Sequence, residues 1–149
     1  MLRDAISHSK NELHFCKSLT ATETPSTGVD LKGFNSATII AAIGTITNIA
    51  NSPVPSWTLK LEESDSAATG FSAVAEADML LDYGNNDGSV TTGVWATIDA
   101  AAEDDKIYTC GYIGTKRYIR VVATAADTPG ATPVTVVIQK GALQKPQDD

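Results

Sequence analysis

Between Gly28 and Gly141 the chain is cut into short β-branched runs parted by turn signals about every 8–12 residues, and this rhythm constrains the fold most. Residues 56–62 show it best, because Trp57, Leu59 and Leu61 alternate with Thr58, Lys60 and Glu62. A period of two marks a half-buried strand, whose successive side chains leave on opposite faces. The preceding stretch holds Pro53 and Pro55, which cannot donate to a ladder, and reads as a loop. Residues 36–43, 70–74, 93–98, 106–113, 117–124 and 134–139 read as further strands. Residues 84–88, Gly114-Thr115 and Pro129-Gly130 read as turns. Residues 75–83 suit a helical turn or a strand equally, and residues 100–105 a loop or a single helical turn. Nothing is long enough for the helix of a βαβ crossover. The expectation is an all-β fold: an antiparallel β-sandwich, jelly-roll or Ig-like, of about seven or eight strands with an N-terminal arm.

A chain of 149 residues fits one domain. Its 20 alanines and 18 threonines leave few large aliphatics, so the core is expected to be thin and sheet-based. Residues 1–27 lack the strand rhythm and are assigned to the arm, with one short helix, one strand around residues 13–16, or a frayed terminus as its local structure. The sandwich is assigned to residues 28–143, and residues 144–149 to a disordered tail. No secretory leader is visible, since Arg3, Asp4, Lys10, Glu12 and Lys17 interrupt the first twenty residues. The apolar stretch 37–49 is too short and too polar to span a bilayer, so no membrane partner is expected.

The formal net charge of −7 disfavours phosphate backbones, so no nucleic-acid partner is expected either. Eleven carboxylates fall between Leu61 and Asp105 without one Lys or Arg. The turn at residues 82–88 looks like a calcium loop at first, but with Gly88 at the sixth position of an EF-hand the first is Tyr83. A solvated acidic turn is the better reading. Adjacent carboxylates such as Glu62 and Glu63 point to opposite faces of a strand and make no acid/base pair. His14 and Cys16 would share a strand face, yet they lack a third orienting group and lie in the least regular segment. Cys16, Cys110, His8 and His14 assemble no zinc spacing, and the two cysteines are expected to be free thiols. The chain is therefore expected to be no enzyme, with no cofactor, no metal and no catalytic residue.

Lys116, Arg117 and Arg120 form the only basic cluster. In so acidic a chain they are expected to pair with the acidic block, within the fold or across a subunit contact. Trp57 and Trp95 are expected in the core, although exposed tryptophans, together with the tyrosines, would make stacking platforms for a glycan.

Several segments in order resemble small proteins encoded among the head genes of tailed bacteriophages. The resemblance runs over residues 28–141: VDLKGFNSA from Val29, LKLEESD from Leu59, FSAV from Phe71, then Ala77-Asp78, and residues 134–141 at the end. Its most specific piece is GYIGTKRYIRVV, from Gly111 to Val122. The resemblance implies a virion structural protein of the capsid decoration, or cement, type. Such a protein is made in the host cytoplasm and sits on the shell of the major capsid protein as a homo-oligomer, a trimer being one form. Candidate partner contacts are Leu2, Ile6, Leu13 and Phe15 on the arm, which would lie along a neighbour or add a strand to it, and Lys116 and Arg117. A head spike binding a receptor or glycan, and a head-completion or tail component, are the alternatives.

Overall fold

A computed structural model of the chain describes residues 9–81 and 92–143. Ten strands follow one another: β1 (Lys10–Leu19), β2 (Val29–Asp30), β3 (Phe34–Ile43), β4 (Ser56–Ser64), β5 (Ser72–Ala73), β6 (Met79–Leu81), β7 (Val94–Ile98), β8 (Lys106–Tyr112), β9 (Tyr118–Ala126) and β10 (Thr132–Leu143). One 3-10 turn, Glu76–Asp78, precedes β6, so the ambiguous stretch contains both a helical turn and a strand. The fold is all-β, as the alternation requires.

The strands make two antiparallel sheets. The first runs β1-β10-β3-β8-β6; the second runs β2-β9-β4-β5, with β7 also on β4. β1 pairs with β10, β2 with β9, β3 with β8 and β4 with β7. The two halves of the chain thus run back along each other as one long hairpin, rolled into two facing layers. That winding is a jelly roll, and the Ig-like alternative falls. Beyond the tip of the hairpin, β5 extends one sheet by pairing with β4 and β6 extends the other by pairing with β8.

Residues 10–19 are no separate arm, because β1 is a full edge strand whose register runs from Lys10↔Lys140 to Leu19↔Thr132. A bulge between Leu13 and Phe15 breaks its period of two, which hides the strand from a search for alternation. Phe15 and Leu19 are buried in the core. The two-residue β2 is too short to show a period. With these two the count rises from the expected seven or eight strands to ten among the described residues.

Between the sheets lie Ile39, Ala41 and Ile43 of β3, Val134, Val136 and Ile138 of β10, Trp57, Leu59 and Leu61 of β4, and Ile119 and Val121 of β9. Two of the polar bonds that cross the layers start from fully buried aromatic side chains. Trp57 Nε1 donates to Thr132 Oγ1 at 3.0 Å, and Tyr112 Oη donates to Glu63 Oε2 at 2.6 Å. Cys110 is fully buried, and burial pushes its thiol pKa up to about 12, so it stays protonated.

At one end of the sandwich Lys140 is 5 % exposed. Its ammonium donates to Glu12 Oε2 at 2.7 Å and to the Asp30 carbonyl at 3.0 Å, and lies 5.6 Å from the centre of the Phe34 ring. One side chain therefore ties β1, β10 and β2 together. Lys140→Met keeps the aliphatic stem and loses both charge-assisted bonds. The expected loss is about 1–3 kcal/mol in urea unfolding. A loss of a few tenths would show that the ammonium holds nothing.

Candidate interaction surfaces

The outer face of the first sheet follows from its registers. Leu13 of β1, Val137 of β10, Ile40 of β3 and Thr109 of β8 form one row across four strands. Cys16, Thr135, Ala42 and Ile107 form a second row. Asn11, Gln139, Thr38, Gly111 and Leu80 form a third, which reaches β6. None of the three rows contains an Asp, Glu, Lys or Arg. Leu13, Leu80 and Ile107 are more than half exposed. Gly111 keeps the third row flat, because a Cβ there would sit 2.9 Å from that of Leu80.

The second sheet is the opposite. Its outer positions hold Lys60 and Glu62 on β4, Arg120 on β9 and Asp30 on β2, and ion pairs knit them together. Arg120 contacts Glu62 at 2.7 Å, donates to the Pro25 carbonyl at 2.9 Å and stacks 4.1 Å from the Phe71 ring centre. Arg117 holds Asp30 at 2.8 Å, and Lys116 holds Asp65 at 2.6 Å. The Arg117 hydrogen bond lowers the Asp30 pKa to about 2. The basic cluster is thus neutralised within the fold, and two of its three partners, Glu62 and Asp65, belong to the acidic block.

A cleft of about 290 Å³ opens between β1 and residues 20–28, lined by His14, Phe15, Lys17, Glu23 and residues 25–27. It follows the edge of β9. Here Val121 N–H donates to His14 Nε2 at 3.2 Å, Ala123 exchanges two backbone bonds with Glu23, and Ala125 N–H donates to Thr22 Oγ1 at 3.0 Å. Residues 14 and 22–23 therefore occupy the donors of a strand edge that would otherwise be open. Burial lowers the His14 pKa to about 4 against the upward pull of Glu12 and Glu23, so the ring is neutral and free to accept. Lys17 and Glu23 pair at 2.7 Å beside it.

These placements sort the residues singled out by sequence. Leu13 stands exposed on the charge-free face. Phe15 is buried and is withdrawn as a partner contact, because the bulge turns it into the core. Lys116 and Arg117 are exposed but already paired, while Leu2 and Ile6 lie outside the described residues. His14 and Cys16 do not form a pair: the ring accepts from the second sheet, whereas Cys16 on the outer face accepts from Thr135 Oγ1 at 3.1 Å. Both cysteines are free. Trp57 and Trp95 are buried, which takes both tryptophans out of the stacking platform of the glycan reading. Among the described residues no three ligating side chains converge, and the turn at 82–88 lies outside them. The face itself was missed as a unit, although its signal is present: every second residue of β3, β8 and β10 is small, uncharged or both. Protein-family models, curated proteins and solved structures give no match to the chain.

Proposed function

We propose that this chain is a virion structural protein of the capsid-decoration type, which binds the outside of a shell of major capsid protein and stabilises it. One observation supports this reading above the others: a broad sheet face without charge, through which copies of a shell-bound protein can pack together, on a domain whose opposite face is closed by its own ion pairs. Such a surface suits packing against protein. It repels no neighbour by charge, and it presents apolar side chains such as Leu13, Ile40 and Ile107 for burial. The jelly roll is compatible with the role without specifying it, because folds host many functions. The partner class comes from the resemblance to phage head proteins over residues 28–141.

Of the rival readings, the glycan-binding spike loses its two best residues to the core. A completion or tail component differs in copy number and would not follow the shell lattice. The test uses purified protein and shells assembled without it. The chain is expected to cosediment with these shells and to saturate at a fixed ratio to the major capsid protein. It should also raise the temperature at which the shells rupture. Absence of saturable binding would contradict the proposal.

A further inference from the structure

We infer that the charge-free outer face of the first sheet is the surface through which two copies of this chain pack together, face to face. The inference deepens the reading of the chain as a packing subunit, on which it rests, by naming what covers its most open surface. The first argument is electrostatic. Each copy carries a net charge of −7, so two copies repel, and any contact that set charged faces together would oppose like charges. The three rows through Leu13, Cys16 and Asn11 form the one sheet face of the described residues that meets its own image without such a penalty. A strongly acidic or basic partner would instead be read by complementary charge, and this face offers none.

The second argument is area. Strands lie about 4.8 Å apart and rise about 3.3 Å per residue, so five strands of this length present roughly 600–800 Å². Stable pairs bury about 800 Å² on each partner. The third is shape. Two sheets pack about 10 Å apart when their facing side chains interdigitate. Here the Leu13–Val137–Ile40 row makes a ridge beside the lower row of Ala42 and Thr135, so that a rotated copy can set ridge into groove. The fourth argument excludes the rival geometry of strand addition at the free edge. β1 carries Lys10, Lys17 and a bulge at that edge, all devices that oppose edge pairing.

The test is sedimentation equilibrium of the isolated chain at two salt concentrations, with no particle present. A species of twice the 15.6 kDa chain mass is expected. Its Kd should fall at least threefold between 50 mM and 500 mM NaCl, because salt screens the repulsion and leaves the neutral contact intact. Ile40→Lys is expected to raise the Kd at least a hundredfold, since symmetry brings two ammonium groups into the interface. Thr58→Lys, on the outer face of the second sheet, should leave it unchanged. Val137→Ser provides an uncharged variant should Ile40→Lys fail to fold, with at least a tenfold rise expected. A monomer at all concentrations up to about 200 µM would overturn the inference, as would a dimer weakened by salt or indifferent to both face variants. Shell binding is measured separately, so either result leaves the proposed function to its own test.

Discussion

Trp57→Ala is expected to remove about 3–5 kcal/mol of stability, a large part of the roughly 5–15 kcal/mol that holds a domain of this size. The indole is fully buried between the sheets, and its N–H donates to Thr132 Oγ1, itself fully buried at the start of β10. Truncation therefore opens a large cavity and breaks a bond joining β4 of one layer to β10 of the other. Trp57→Phe separates the two effects. It keeps most of the apolar volume and is expected to cost about 1–2 kcal/mol, while Thr132 Oγ1 can still donate to the Gly130 carbonyl. A double-mutant cycle with Thr132→Val should give a coupling of about 1 kcal/mol. Urea unfolding followed by far-UV circular dichroism reads all four variants. A cost below about 1 kcal/mol for Trp57→Ala would place the indole outside the core.

The second large effect is a loss of stability in mild acid, set by His14. In the unfolded chain the imidazole takes a proton as the pH falls through 6.5, whereas in the folded chain it resists until about 4. The unfolded state therefore binds more protons in that window. Stability is complete above about 6.5, declines as the pH drops towards 4, and then levels off. The difference amounts to about 3 kcal/mol. Protonation also removes the acceptor for Val121 N–H and opens the edge of β9. His14→Gln, whose amide oxygen can still accept that bond, is expected to flatten the curve between pH 6.5 and 4. Asp30, depressed chiefly by its bond to Arg117, adds a smaller loss below about pH 4 because that pair is exposed. Unfolding free energies across pH 3–8 check both. A parent protein as stable at pH 4.5 as at pH 7 would contradict the His14 account.

How much of this was legible depends on where each signal lies. β4 was visible because Trp57, Leu59 and Leu61 alternate cleanly, whereas β3, β7, β8, β9 and β10 were visible in outline as β-branched runs between turn signals. β1 was hidden because its bulge puts His14 out of step, leaving only Phe15 and Leu19 facing inward. A pairing partner 119 residues away, as for Cys16 and Thr135, leaves no local trace. The neutralised basic cluster was anticipated from charge alone, but its pairing of Arg117 with Asp30, rather than with the acidic block, depended on how β2 meets β9. The charge-free face is an arrangement of registers. Ile40, Val137 and Leu13 lie far apart in sequence and become a row only when β1, β10 and β3 are laid side by side.

A reconstruction of the assembled phage head tests the central claim most directly. Density fitting this jelly roll is predicted on the outside of the shell, repeated with the shell lattice, the face bearing Ile40 and Val137 covered and the ion-paired face of β4 and β9 turned elsewhere. Heads without that density, or density confined to a single ring at one vertex, would contradict it.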